Sequence, residues 1–216
     1  MAKTYSINEC FYSPQGEGAH AGTMNVFLRF AGCNLQCTVE VEGFNCDTDF
    51  RKGDRMTAAE VVKLVKGVDL SEAGCGRVIC TGGEPTLQLD YELCAALNDE
   101  GYLVAVETNG TRKIPAGVDW VSCSPKVGSH VVLTRADEVR VVVADGVEPD
   151  ARGIVADYYY VSPHFDAPPV DEMKRGWQRN YPSLPVASSF AWALEWCKLN
   201  PKWAISTQQH KLWGVR

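Results

Sequence analysis

The sequence lacks the features of a membrane protein, of a secreted protein and of a protein that binds nucleic acid through bulk charge. No apolar run reaches the ~18 residues that a membrane span needs. The first ten residues lack the apolar stretch and the small-residue cleavage site of a secretory signal. Lys and Arg together number 21 against 27 Asp and Glu, a net charge of −6 that disfavours nucleic-acid binding by charge alone. We therefore expect a cytoplasmic protein with no direct contact to a membrane or to nucleic acid.

Internal repeats, low-complexity segments and long charged tails are also missing from the sequence. The 216 residues are 45% apolar and 22% charged, which is ordinary for a globular protein. A chain of this length buries a continuous core without metal or disulfide support. No linker divides it, so we expect a single domain over residues 1–216, with a loop of special composition at 33–46.

Short apolar segments alternate with amphipathic ones along the chain. Strands are predicted at 25–31, 77–81, 103–108, 118–123, 138–144, 158–162 and 203–206. Helices are predicted at 57–67, 87–100 and 188–199, and the first opens with a capping box formed by Thr57 and Glu60. This alternation is typical of parallel βα units in an α/β fold. A full eight-fold barrel needs ~250 residues, so a partial barrel or an open parallel sheet is expected.

Three of the nine cysteines lie close together in the sequence. Cys33, Cys37 and Cys46 fall within fourteen residues, whereas the other six are scattered. An odd number of cysteines without a signal peptide does not suit a disulfide framework. Three thiolates are one ligand short of a closed zinc or iron–sulfur site, and on a four-iron cluster they leave one iron open to a small molecule. A zinc loop, or three unrelated thiols, is the alternative interpretation.

Polar and glycine-containing motifs directly follow successive predicted strands. The carboxyl ends of parallel strands meet at one rim of a sheet, so these motifs are expected to form one site. After the cysteine loop the motifs are Gly82-Gly83-Glu84-Pro85, Glu107-Thr108-Asn109-Gly110, Ser124-Pro125-Lys126 and Ser162-Pro163-His164.

The cysteine loop followed by Gly82-Gly83-Glu84-Pro85 resembles the radical S-adenosylmethionine (SAM) superfamily. The resemblance implies a shortened partial (β/α) barrel with mostly parallel strands. It also implies a [4Fe–4S] cluster held by Cys33, Cys37 and Cys46, with SAM on the open iron. The reduced cluster would cleave SAM to a radical that takes hydrogen from the substrate, so no side chain is assigned a catalytic role. The SAM contacts implied are Asn45, Cys46, Asp47, Gly83, Glu84, Ser124, Pro125 and Lys126.

A longer series of motifs is similar to one family within that superfamily, the 7-carboxy-7-deazaguanine synthases. The series contains Gln15-Gly16-Glu17-Gly18, Phe27-Leu28-Arg29-Phe30-Ala31-Gly32-Cys33-Asn34-Leu35, Cys46-Asp47-Thr48, the motifs at 81–85, 107–110 and 124–126, and Gln209-His210-Lys211. Members convert 6-carboxy-5,6,7,8-tetrahydropterin to 7-carboxy-7-deazaguanine with loss of ammonia, in the biosynthesis of 7-deazapurines such as queuosine.

The same resemblance implies substrate contacts and partners. Thr48 would be a ligand to a Mg²⁺ ion that also touches the substrate carboxylate, and Arg29 would hold that carboxylate with its planar fork. The alternatives are a Thr48 that caps a turn and an Arg29 that pairs with a surface acid. A homodimer and a reducing flavodoxin or ferredoxin are also implied. The substrate contacts implied are Pro14, Gln15, Gly16, Arg29 and Thr81.

One feature departs from the family pattern. The usual cysteine spacing is C-x3-C-x2-C, but here eight residues, 38–45, separate Cys37 from Cys46. Since a longer loop costs little closure entropy, the extra residues are expected to bulge outward while the three sulfurs still reach one cluster. Asn45 stands where an aromatic residue normally contacts adenine.

Two rival functions remain open at this point. Another radical SAM enzyme, such as an activase for a glycyl-radical enzyme, would share the cluster loop and the glycine motif. A non-enzymatic iron–sulfur or zinc module would need no reductant. Outside these motifs, we interpret His164 as a local structural residue. Trp192 and Trp196 share a helix face and are interpreted as core or dimer-interface residues.

Overall fold

The computed structural model describes residues 3–71, 74, 76–167 and 184–215. Its strands are β1 (Tyr5–Pro14), β2 (Met24–Phe30), β3 (Asp54–Met56), β4 (Arg77–Gly82), β5 (Leu103–Thr108), β6 (Trp120–Cys123), β7 (Arg135–Val143), β8 (Val155–Pro163) and β9 (Ala204–Ile205). Its α-helices are α1 (Val39–Glu42), α2 (Ala58–Val68), α3 (Tyr91–Asp99), α4 (Ala187–Leu199) and α5 (Gln209–Trp213).

The strands form one sheet in the order β3-β1-β2-β4-β5-β6-β7-β8-β9. From β2 through β4 to β9 the neighbours run parallel, whereas β1 is antiparallel to both β2 and β3. Within the described residues the edge strands β3 and β9 do not pair with each other. The fold is thus the expected α/β class, with an open and mostly parallel sheet.

The two faces of the sheet carry different side chains, because successive residues of a strand point to opposite sides. On the outer face, Val26, Leu28, Val78 and Val104 form a core with helices α2 and α3. On the inner face lies a smaller apolar group made of Phe11, Phe27, Ile79, Ala105 and Trp120. Two residues further along the same strands, the parallel register places Arg29 beside Thr81 and Glu107 beside Ser122, and these side chains form a polar layer. A polar layer therefore lies above an apolar floor.

The second half of the sheet is covered without regular alternation of strands and helices. Residues 144–154, between β7 and β8, contain no helix, and none was predicted there. Ile154 and Leu133 from the connecting loops, with Ala193 and Trp192 of α4, cover the outer face instead.

Local capping explains where the first two long helices begin. Thr57 and Glu60 form the predicted reciprocal capping box at α2. Helix α3 starts four residues later than predicted, because Pro85–Leu87 forms a separate 3-10 turn and the Asp90 side chain caps the helix by accepting from the Leu93 N–H at 3.1 Å. No helix among the described residues combines the length and the apolar character that crossing a membrane would require.

Strand β1 was not predicted from the sequence. A β-bulge between Ile7 and Glu9 interrupts its pairing with β2, so the alternation of apolar residues breaks in the middle of the strand. The extra residue, Asn8, turns away and donates to the Lys52 carbonyl at 2.6 Å.

Candidate active site

A cavity of about 240 Å³ opens at the carboxyl ends of the parallel strands. Of the predicted site residues, twelve line it: Pro14, Gln15, Arg29, Cys33, Cys37, Cys46, Asp47, Thr48, Thr81, Gly83, Ser124 and Lys126. Gly16, Asn45, Glu84 and Pro125 are not among the lining residues. Residues from most of the strand ends therefore converge on one space, as the strand-end motifs predicted.

The insertion in the cysteine loop leaves its two flanking cysteines in contact. The Cys46 N–H donates to the Cys37 carbonyl at 3.1 Å, so residues 38–45 bulge outward and include the single turn of α1. Burial raises the pKa of Cys37 to about 11 and that of Cys46 to about 12, and it also raises the pKa of Cys33. A metal centre would therefore displace protons from all three sulfurs when it binds.

The donor set of this loop suits an iron–sulfur cluster, since three cysteine sulfurs line one partly desolvated cavity. In the part of the chain that the structure describes, no three His, Cys, Asp or Glu side chains are grouped closely enough to share a single metal ion. Among the scattered cysteines, Cys80, Cys94 and Cys123 are fully buried in the hydrophobic core, and Cys75 lies outside the described residues.

The glycine motif after β4 packs directly on the start of the cysteine loop. A Cβ on Gly82 would lie 2.2 Å from the Phe30 carbonyl oxygen, and one on Gly83 would lie 2.1 Å from that of Gly32. Gly82 also has a φ of +127°, which a residue with a side chain rarely adopts. These glycines are needed because two backbone segments touch each other.

Glu84 directs its carboxylate into the protein. It is fully buried and accepts from the Thr86 N–H at 3.0 Å, the Thr108 hydroxyl at 2.7 Å and the Asn109 N–H at 2.7 Å. This carboxylate therefore ties the loop after β4 to the loop after β5. Its geometry gives Glu84, one of the implied SAM contacts, a role in holding the rim.

Glu107 is the centre of the polar layer. Its carboxylate accepts from Gln15 Nε2 at 3.0 Å, from Thr81 Oγ1 at 2.7 Å and from Arg140 Nη2 at 2.7 Å. Burial alone would raise the pKa of Glu107, but the guanidinium of Arg140 and the hydrogen bonds from Thr81 and Gln15 together outweigh burial and lower the pKa to about 2. Glu107 is therefore a carboxylate at neutral pH, and it holds Gln15 and Thr81 at the cavity wall.

Arg140 is the main site residue that the sequence analysis missed. It lies inside β7, is only 5% exposed, and pairs with Glu17 at 2.8 Å, Glu107 at 2.7 Å and Glu138 at 3.1 Å. Its Nε also donates to the Ser122 hydroxyl at 2.6 Å. One signal was available in the sequence, since a charged residue inside the apolar strand pattern Glu-Val-Arg-Val-Val-Val requires buried partners.

The bulge in β1 places Glu9 opposite Arg29. The Arg29 Nε donates to a Glu9 carboxylate oxygen at 2.7 Å, and the guanidinium lies 5.7 Å from the centre of the Phe11 ring. Arg29 also lines the cavity. It thus has both the carboxylate partner of the alternative interpretation and the cavity position of the predicted one.

The C-terminal helix α5 completes the cavity wall beside the cysteine loop. Lys211 pairs with Asp47, and the Thr48 hydroxyl donates to the other Asp47 oxygen at 3.2 Å. Burial alone would raise the pKa of Asp47, but Lys211, together with His210 and Arg29, outweighs burial and holds the pKa well below its usual range. His210 lines the cavity and packs on Gly16, where a Cβ would lie 2.2 Å from the His210 Nδ1. Gly16 is therefore required for close packing against His210, a residue of the same chain.

The loop after β6 contributes Ser124 and Lys126, which are joined by a hydrogen bond of 2.7 Å. Pro125 lines a smaller neighbouring pocket. Asn45 donates to the Ala167 carbonyl at 3.1 Å, outside the main cavity.

The remaining predicted features lie outside the cavity lining. His164 hydrogen-bonds Ser189 at 2.9 Å and stacks on Phe44. Trp192 and Trp196 stack on each other beside the second core, which is the apolar cluster formed by α4 with strands β7 and β8.

Comparisons with known proteins identify the family of the chain. Residues 28–137 match the sequence profile of the radical SAM superfamily. A 7-carboxy-7-deazaguanine synthase of Bacteroides thetaiotaomicron is 38% identical over 97% of this chain and 98% of that protein. Its counterpart in Burkholderia multivorans is 36% identical over 98% of this chain and 99% of that protein.

A solved structure supports the fold. The crystal structure of QueE from Escherichia coli superposes with a TM-score of 0.67 at 20% identity, over 94% of this chain and 93% of that one.

Proposed function

The chain belongs to the radical SAM superfamily and, within it, to the 7-carboxy-7-deazaguanine synthase family, and on that premise we propose that it converts 6-carboxy-5,6,7,8-tetrahydropterin to 7-carboxy-7-deazaguanine with loss of ammonia. The observation that carries the proposal is the convergence on one cavity of the three cysteines, the glycine motif and the polar layer. The product enters 7-deazapurine biosynthesis of the queuosine type.

Cys33, Cys37 and Cys46 would hold the [4Fe–4S] cluster, which when reduced supplies the electron that cleaves bound SAM. SAM would lie between the cluster loop and the loops that carry Gly83 and Ser124. Lys126 and Asp47 also line the cavity, and their charged side chains would bind polar groups of SAM.

The pterin would lie against the polar layer. Arg29 would hold its carboxylate, with Thr48 as a ligand to a Mg²⁺ ion beside that group; oxygen ligands and retained waters suit Mg²⁺. Thr81 and Gln15 are both fixed by Glu107, so their polar atoms are held in place before substrate binds. The apolar floor of Phe11 and Phe27, which stack 5.2 Å apart, would exclude water from below.

Two partners belong to the same proposal. A one-electron donor such as a flavodoxin or ferredoxin would reduce the cluster. The protein would work as a homodimer, the commonest symmetric assembly. Size-exclusion chromatography with light scattering measures the oligomeric state, and a monomer over the working concentration range would refute the proposed homodimer.

The direct test is anaerobic reconstitution followed by incubation with SAM, a reductant, Mg²⁺ and 6-carboxytetrahydropterin. Mass spectrometry should detect 7-carboxy-7-deazaguanine, and Cys33→Ala should abolish it. Cys197→Ala is the matched control, because Cys197 packs beside the second core outside the cavity. Release of 5′-deoxyadenosine without this product would indicate another radical SAM enzyme, such as an activase. No SAM cleavage by an iron-loaded protein would indicate a non-enzymatic binding module.

A further inference from the structure

The insertion between Cys37 and Cys46 buries an acidic side chain and exposes apolar ones. Glu42 is 7% exposed, whereas Val39 and Val41 of the same single-turn helix are 50% and 51% exposed. This arrangement inverts the usual preference of these residue types. A buried carboxylate needs specific partners, so Glu42 has a local role that Val39 and Val41 do not share.

The partner of Glu42 is the loop that follows β6. The Val127 N–H donates to Glu42 Oε1 at 3.0 Å. Burial raises the pKa of Glu42, and the nearby ammonium of Lys126 opposes that rise. The same ammonium donates to the Ser124 hydroxyl at 2.7 Å and lines the cavity beside Cys37. Glu42 therefore contacts Val127, the residue directly after the segment Ser124-Pro125-Lys126, from outside the cavity.

We propose that Glu42 is a positioning residue for SAM: through the Val127 N–H it fixes the loop 124–127, and so fixes Ser124 and Lys126 next to the cluster loop. The proposal rests on the proposed function, which places SAM at these two residues. Glu42 does not line the cavity, so it would act through the loop without direct contact to substrate or cofactor. The insertion then serves to connect the cluster loop to the SAM-binding loop, in addition to bridging Cys37 and Cys46.

The test compares four variants of the anaerobically reconstituted protein. Glu42→Ala removes the acceptor, Glu42→Asp keeps the charge but shortens its reach, and Glu42→Gln keeps an acceptor without the charge. Glu40→Ala is the control, since Glu40 lies on the same helical turn and is exposed. The readouts are iron and sulfide content, the equilibrium Kd for SAM measured without pterin, and the KM for 6-carboxytetrahydropterin.

Loss of one buried hydrogen bond should raise the Kd for SAM about tenfold in Glu42→Ala and several-fold in Glu42→Asp, while Glu42→Gln stays within about threefold of wild type. Iron content and the KM for the pterin should match those of Glu40→Ala. If Glu42→Ala does not fold, the Kd for SAM of Glu42→Asp is compared with that of the wild type instead.

Three results would overturn the proposal. They are a Kd for SAM that does not change in Glu42→Ala and Glu42→Asp, an equal rise in the KM for the pterin, and a loss of iron that accounts for the weaker binding. The proposed function can fail separately: wild-type protein that binds and cleaves SAM but forms no 7-carboxy-7-deazaguanine would refute it, and the Kd values for SAM would still decide the role of Glu42.

Discussion

The rim of the cavity after β2 and β4 is held together in a different way from the polar layer around Arg140 of β7. In the first region, backbone contacts between Phe30, Gly32 and the two glycines of residues 82–83 hold the rim. In the second, the buried guanidinium of Arg140 holds three carboxylates. One half of the site is thus held by close packing and the other by charge, so the two halves should respond differently to mutation and to pH.

The largest effect is expected from removing Arg140, whose charge holds the polar layer together. Arg140→Met should lower the free energy of unfolding by about 3–5 kcal/mol and abolish activity, because it leaves Glu17, Glu107 and Glu138 without their shared cation. Arg135→Met on the same strand is the control, since its pair with Asp157 is exposed and should contribute less than ~1 kcal/mol. Urea unfolding of both variants measures the difference. Equal stability of the two would contradict the assigned role of Arg140.

The half of the site that is held by close packing should be disrupted by a methyl group added where Gly82 contacts the Phe30 backbone. Gly82→Ala should destabilise the fold by about 2–3 kcal/mol, because the new Cβ would overlap the Phe30 carbonyl at a positive φ. Gly67→Ala, within α2, should stabilise it by ~0.5–1 kcal/mol, since no atom lies within 4 Å of the added Cβ. Thermal unfolding gives the sign of each change, and the same sign for both would refute the packing argument.

Acid should weaken the charge-based half before the packing-based half. The pKa of Glu107 is lowered to about 2, so its contribution is fully present above its unfolded pKa of ~4.3 and is lost as pH falls from there towards 2. The contribution is on the order of 1–3 kcal/mol, and Glu107→Gln should flatten the stability profile over this range. Glu195→Gln, at an exposed position of α4, should leave the profile unchanged. A Glu107→Gln profile parallel to that of the wild type would contradict the prediction.

The smallest expected effect lies outside both halves, at the start of α2. Thr57→Ala removes the cap of that helix and should lower the free energy of unfolding by about 1 kcal/mol without changing the KM for SAM or for the pterin. Thr57→Ser keeps the hydroxyl and should restore most of the loss. A change in either KM would show that α2 also influences the cavity. Packing at the rim and charge in the polar layer would then not be the only interactions that shape the site.

The parts of the fold and of the site with local signals were predictable from sequence. The capping box of Thr57 and Glu60 lies within four residues, and the cysteine loop and the glycine motif follow apolar strands directly. Their convergence on one cavity follows from parallel strands, whose carboxyl ends share one rim.

Features that depend on contacts distant in sequence were not predictable in this way. Arg140 pairs with Glu17, which lies 123 positions away in the sequence, and no local pattern predicts that ion pair. Strand β1 escaped detection because its bulge interrupts the alternation that identifies a half-buried strand. The orientation of Glu84 towards Thr108 and Asn109 likewise depends on a partner loop more than twenty residues away.

The contact between α5 and the end of β1 has a consequence for the order of events during synthesis. The Gln209 N–H donates to the Gly16 carbonyl at 2.9 Å, and the Gly18 N–H donates to the Ser206 hydroxyl at 2.9 Å. On the ribosome, domains begin to fold from the N-terminal side while the rest of the chain is still being made. The segment around Gly16 must therefore wait for nearly two hundred further residues before its partners emerge. The nascent chain can assemble the outer core around α2 and α3 early, but the cavity wall closes only when residues 206–210 leave the exit tunnel.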